Sequence, residues 1–223
     1  MPESITESPA ESPLDGAREA RFLSTLAGRR LVAIVRGRDA GAALRTVLTL
    51  VEEGVELVEV SLVTAGALEV LRRARTALGE AAELGAGTVL SAADADAAAE
   101  AGASYLVTPA VSASVARGRS LGLPVLAGAF TPTEVVAALG AGAAAVKLFP
   151  ASLGGERYLR ALRDPFPEVA FVPVGGVDAA AAAGYLRAGA VAVGVGSPLV
   201  GDAADGGSLT ELRARVRAFR DAL

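Results

Sequence analysis

After its first fifteen residues the chain alternates short apolar runs with longer Ala-rich segments whose apolar positions recur at helical spacing. The runs are LVAIV (31–35), VELVEVSL (55–62), ELGAGTV (83–89), SYLVTP (104–109), PVLAGA (124–129), AAVKLFP (144–150), AFVPVGG (170–176) and VAVGVGS (191–197). Near-continuous apolar character, rather than strict alternation, is what a parallel strand covered on both faces shows. The intervening segments carry helix starts: Asp39 before 40–53, Ser91 before 92–101, Ser112 before 113–121 and Asp178 before 179–188. Thr131-Pro132-Thr133-Glu134 combines a cap with an entry proline, and predicts a helix to about Leu139. Gly54, Gly102, Gly122, Gly140 and Gly189 fall where these helices should end. Eight strand–helix units, starting about 20–28 residues apart, predict an α/β fold: a single (β/α)8 TIM barrel over 16–223, with a helix at 16–28 capping its bottom. A doubly wound open sheet with fewer strands is the competing fold.

Composition narrows the chemistry. Of 223 residues, 52% are hydrophobic but only 4% aromatic, so Ala, Val and Leu must fill the interior. The formal charge of −4 and the lack of a basic patch argue against a nucleic-acid partner. There is no cysteine and no histidine, which excludes thiol chemistry, Ser-His-Asp triads, imidazole-bound zinc and a histidine base. No dense carboxylate cluster stands at the strand ends to hold Mg²⁺, so neither metal nor cofactor is expected. The opening MPESITESPAESPLD (1–15) is acidic and rich in Pro and Ser, and is expected to be a disordered tail rather than a signal. Apolar runs are broken before spanning length, so no membrane association and a cytoplasmic location are expected.

In a barrel the strand C-termini form the active face. There the chain places its only lysine: Lys147 interrupts the apolar AAVKLFP, while every other cation among the 21 is arginine. Lysine can lose its proton and act as an amine nucleophile, which arginine cannot, and apolar burial favours the neutral form. Glu59 interrupts VELVEVSL; alternation sends Leu57, Glu59 and Ser61 to one face and Val58 and Val60 to the other. If the valines meet the helices, Glu59 enters the lumen, where a lone carboxylate needs a partner. Lys147, four strands away, is the candidate, either as a structural ion pair or as an amine served by a proton shuttle. Gly175-Gly176 and Gly196-Ser197 close the last two strands, where barrels often bind phosphate through backbone N–H groups. Arg36 could clamp a carboxylate, or simply be solvated; Thr88 offers a hydroxyl at the mouth of the third strand, and Pro109 ends the fourth.

Together these residues resemble the 2-keto-3-deoxy-6-phosphogluconate/galactonate (KDPG/KDPGal) aldolase family, which includes 4-hydroxy-2-oxoglutarate aldolase. The matching segments are LVAIVRG (31–37), EGVELVEVSL (53–62), LGAGTVL (84–90), LVTPAVS (106–112), AVKLFPAS (145–152), FVPVGGVD (171–178) and AVGVGSPLV (192–200). The resemblance implies a class I aldolase, with Lys147 forming the Schiff base and Glu59 acting as general acid/base. It implies that Thr88 and Arg36 hold the pyruvate carboxylate and that Gly175, Gly176, Gly196 and Ser197 bind the 6-phosphate. Phe149 and Pro150 would shape the pocket with Pro109, and the products would be pyruvate and D-glyceraldehyde 3-phosphate. A homotrimer is also implied. Two positions depart from gluconate-type members: Val63 replaces an arginine four residues after the glutamate, and Val174 replaces a threonine before the Gly pair. Arg36 is the candidate replacement for the first, and Val174 with FPAS after the lysine looks more like the galactonate-type enzymes, which favours the galactonate substrate. A phosphate-binding isomerase or synthase, and a catalytically silent barrel, are the alternatives; neither needs an amine nucleophile.

Overall fold

Eight apolar runs form eight strands, every pairing parallel, in a computed structural model that describes residues 13–80 and 82–223. They are β1 (Leu31–Val35), β2 (Leu57–Ser61), β3 (Glu83–Gly87), β4 (Tyr105–Val107), β5 (Val125–Ala129), β6 (Ala145–Leu148), β7 (Phe171–Pro173) and β8 (Val193–Val195). Pairing runs in chain order from β1 to β7, and β8 returns to pair with β1. Between β7 and β8 the ladder thins to a Val174–Gly194 bridge and the Val191 N–H donating to the Phe171 carbonyl at 3.0 Å, which closes the barrel. This is the (β/α)8 barrel expected, not an open sheet.

The helices are α1 (Pro13–Arg29), α2 (Ala40–Glu52), α3 (Ala67–Leu78), α4 (Ala92–Glu100), α5 (Ala113–Ser120), α6 (Pro132–Gly140), α7 (Gly155–Arg163), α8 (Ala179–Arg187), the short α9 (Ser197–Val200) and α10 (Leu209–Ala222). Helices α2, α4, α5, α6, α8 and α10 start at side-chain caps, whereas α3, α7 and α9 start at a glycine without one. Asp39 and Asp178 each accept a backbone N–H at 2.8 Å, and Ser91 with Asp94 and Thr131 with Glu134 form reciprocal capping boxes. The end of α6 differs from expectation: Gly140 is its last helical residue, and Gly142 (φ 87°) takes the left-handed turn. Two glycines two residues apart offered the same signal, and the chain uses the second. Helix α1 begins three residues inside the stretch expected to be a tail; the rest of that expectation lies outside the described residues.

Alternation along the strands sorts the core into two populations. Ala33, Val35, Val58, Val60, Leu84 and Ala86 pack outward against the helices. Val32, Ile34, Leu57, Tyr105, Leu126 and Val172 face inward, joined by Phe22 and Leu26 of α1. The Phe22 ring lies 5.0 Å from that of Tyr105, so α1 plugs the N-terminal mouth. Burying Phe22 and Leu26 contributes roughly 1.5–3 kcal/mol each. With α1 plugging the bottom, the lumen is approached from the C-terminal face.

Candidate active site

The third residue of β2 is Glu59 and the third of β6 is Lys147, both inward-facing, on strands four apart around an eight-stranded barrel. They therefore oppose each other across the lumen. Glu59 is 2% exposed and Lys147 6%. They do not close into a contact ion pair but feel each other's charge. Burial raises the Glu59 carboxyl above its usual range, against the opposing pull of Lys147 and Arg36. Burial also lowers the Lys147 amine; Glu59 opposes that shift and Arg36 adds to it. Burial thus biases both groups toward their uncharged forms.

Room for this pair comes from glycines on the inner face. A methyl group on Gly87 would lie 1.6 Å from Glu59 Oε1, so only glycine lets the carboxylate rest over β3. Gly128, level with Lys147 in the β5–β6 register, accepts the backbone of Pro109 so closely that a methyl there would stand 2.2 Å from the Pro109 carbonyl. Thr108 takes a structural part, donating to the Ala110 carbonyl at 2.7 Å.

Arg36 leaves the end of β1 exposed at the rim, within electrostatic reach of both Glu59 and Lys147. Its backbone is fixed from below. Gly37 presses on Ala204, where a methyl would meet the carbonyl oxygen at 2.2 Å, and the Ala65 N–H donates to the Gly37 carbonyl at 3.1 Å. Thr88 has φ 60°, a left-handed conformation unusual for a β-branched residue. Its hydroxyl hydrogen-bonds that of Ser61 at 2.8 Å, rather than a backbone group. Ser61 shares the Glu59 face, as alternation predicted, but its role as Thr88's partner depends on the β2–β3 register.

Beyond β6 the chain curls over β7. The Phe149–Pro150 peptide is cis, the Phe149 ring stands 4.9 Å from Lys147 Nζ, and it packs against Gly175. Gly175 and Gly176 both have positive φ (97° and 73°). Val174 is 5% exposed and fills the space over Gly194, so it floors this side of the mouth with an apolar group. Gly196 caps the short α9 that begins at Ser197. Among the described residues, no protein acceptor takes the N–H of Gly175, Gly176, Gly196 or Ser197. Sequence reasoning gave Ser152 no role, although it stood in the FPAS segment. Its N–H donates to the Gly175 carbonyl at 3.0 Å, and its side chain lies beside Gly176. A groove of ≈ 450 Å³ at the opposite end of the barrel, near Arg30 and Leu223, holds no comparable acid–base pair.

A closed barrel whose lumen holds a buried lysine amine opposite a buried carboxyl fits a class I aldolase, in which a protein amine activates the ketone. Residues 23–211 match the family described as KDPG and KHG aldolase, and the chain belongs to that family. It is 35% identical over 197 residues to the 2-dehydro-3-deoxy-6-phosphogalactonate aldolase of Escherichia coli K12, covering 86% of this chain and 96% of that protein. A solved native KDPGal structure superposes with a TM-score of 0.81 at 34% identity, over 86% of this chain and 93% of the other. The KDPG aldolase of Legionella pneumophila, solved with pyruvate captured as a covalent carbinolamine, gives 0.82 at 25% identity, over 88% and 97%. Among the described residues no helix is long and apolar enough to cross a membrane.

Proposed function

We propose that Lys147 is the Schiff-base lysine and Glu59 the proton shuttle of an aldolase that cleaves a 2-keto-3-deoxy-6-phospho-sugar acid to pyruvate and D-glyceraldehyde 3-phosphate. The observation that carries this reading is the opposed pair itself, an amine and a carboxyl both biased by burial toward their neutral forms in the lumen. The neutral amine attacks the C2 ketone, and the Glu59 acid protonates the departing carbinolamine hydroxyl, which leaves as water. The iminium then withdraws electrons while the Glu59 carboxylate takes the C4 hydroxyl proton and the C3–C4 bond breaks. Glyceraldehyde 3-phosphate leaves, Glu59 returns its proton to C3 of the enamine, and water hydrolyses the imine to free pyruvate and Lys147. Protons balance within the cycle, with the iminium as electron sink.

Arg36 and the Thr88 hydroxyl would hold the substrate carboxylate, within reach of the carbon that Lys147 attacks. The unengaged N–H groups of Gly175, Gly176, Gly196 and Ser197 would bind the phosphate, with Pro109, Phe149 and Pro150 shaping the pocket between. The galactonate epimer is favoured over the gluconate. Its support is Val174, which offers no hydroxyl near the sugar end. The assembly is read as a homotrimer on the family resemblance, and the location as cytoplasmic on the lack of a spanning apolar run in the sequence.

Incubation with pyruvate and borohydride, followed by mass mapping, should place one pyruvyl adduct on Lys147. Lys147→Arg should keep the charge, give no adduct and lose turnover by at least about 10⁴-fold; near-normal turnover would refute the assignment. Comparing kcat/KM for the two C4 epimers tests the substrate preference.

A further inference from the structure

Below Glu59 lies a second buried ionisable group that the mechanism above does not use. Tyr105 of β4 is fully buried, and its hydroxyl has no hydrogen-bond partner. Its position is set by glycine. Gly85 is level with Tyr105 on one side and with Glu59 on the other, and a methyl on Gly85 would fall 2.3 Å from Tyr105 Cζ. The ring therefore lies across β3, with its hydroxyl directed toward β2. The Glu59 carboxylate rests over Gly87, the next inward position, about 6.6 Å up the same strand. Phenol and carboxylate occupy adjacent rungs of one glycine ladder.

Among the described residues no group accepts a hydrogen bond from the hydroxyl. Below it are Phe22 and the apolar floor. Two carboxylates act on it electrostatically, Glu59 and Glu83, and Glu83 is already engaged by Arg21 at 2.9 Å. Around Glu59 itself, Lys147 faces it from β6 and Arg36 from the end of β1. Phenylalanine would fill the same space without burying a hydroxyl, so packing alone does not account for tyrosine here.

We propose that Tyr105 is a positioning residue for the acid–base group: its hydroxyl, unpaired in the resting site, turns to donate a hydrogen bond to the Glu59 carboxylate when that group ionises, and so sets the pH at which Glu59 becomes a base. The inference rests on Glu59 being the proton shuttle. Once Lys147 is tied up as an imine it no longer titrates as an amine, so the acid limb of kcat reports Glu59 alone. Stabilising the carboxylate lowers its pKa, and removing the donor raises it.

The test is the pH dependence of kcat for the full-length wild type, Tyr105→Phe and Glu59→Gln, with borohydride adduct formation on Lys147 confirming that the mouth stays intact. In Tyr105→Phe the acid limb should move up by about one pH unit, while the plateau stays within a few fold of wild type. An unmoved limb, whatever the plateau height, overturns the proposal; a raised thermal midpoint with that unmoved limb would mark the hydroxyl as a stray polar atom of the core. Glu59→Gln separates this failure from a failure of the underlying reading. If that variant keeps wild-type kcat and the same acid limb, Glu59 is not the base, and the Tyr105 inference falls with it.

Discussion

Replacing Gly87 with alanine should disable catalysis while sparing the fold. The added methyl would stand 1.6 Å from Oε1, 2.2 Å from Cδ and 2.6 Å from Cγ of Glu59. An ordinary contact needs about 3.5 Å, so the carboxylate must retreat by roughly 2 Å. Gly87 lies in a regular strand and is not among the positive-φ residues, so alanine meets no backbone penalty. What it strikes is the far end of a flexible side chain, which can swing away at a cost of about 1–3 kcal/mol or less. Catalysis has no such latitude, since a misplacement of about 1 Å costs on the order of 10²-fold. We expect kcat/KM to fall by at least about 100-fold, about 2.7 kcal/mol of transition-state stabilisation. Pyruvate should still be trapped on Lys147, though more slowly. Gly85→Ala is the contrast: there the methyl meets the Tyr105 ring at 2.3–2.7 Å, and a ring packed on Phe22 has nowhere to go, so stability should drop more than in Gly87→Ala. The assay is steady-state release of pyruvate beside a thermal melt of each variant. Turnover within threefold of wild type in Gly87→Ala would show that the carboxylate's place over β3 is not the one catalysis uses.

On the proposed role of Arg36 as carboxylate clamp, Arg36→Leu should raise KM about ten- to hundredfold. The same change lifts a repulsion that favours the neutral amine, so the Lys147 pKa rises and borohydride trapping should need a higher pH; an unshifted trapping profile would count against Arg36 acting on the amine. Glu59→Gln should stabilise the protein as it inactivates it. The folded carboxyl has its pKa raised above the ordinary 4.5, so its bound proton supports the fold fully below 4.5, and that support is lost as pH rises through the folded value. The variant's advantage in unfolding free energy should open above pH 4.5 and grow as pH rises through the folded value; a gap that widens toward acid would reverse the sign and sink the argument.

The fold was legible because each strand announces itself as an apolar run and five of the following helices carry a side-chain cap. The pair at the centre was legible for the opposite reason: Lys147 and Glu59 are the charges that break such runs, and alternation about Val58 and Val60 sets which way Glu59 points. Strand lengths were overread. The segment 170–176 shrinks to Phe171–Pro173, because the Gly pair that continues the apolar run leaves the ladder to build the mouth. Nothing in the sequence marks Thr88 as left-handed, since threonine seldom adopts that conformation, and its bond to Ser61 exists only once β2 and β3 are in register. Tyr105 hid within SYLVTP as one more large apolar residue. The direct ion pair offered as one reading of Glu59 and Lys147 does not form, because opposite walls of the barrel hold their charges apart.

The plug that α1 drives into the bottom of the barrel makes the lumen a vessel with one doorway. Substrate and both products must use it, and in the proposed mechanism pyruvate remains tethered to Lys147 after the carbon–carbon bond has broken. The aldehyde fragment therefore has to clear the threshold first, before water can reach the imine and release the second product. A helix whose visible work is to bury Phe22 and Leu26 thus imposes a queue on product departure, with pyruvate last out and first in for the reverse condensation.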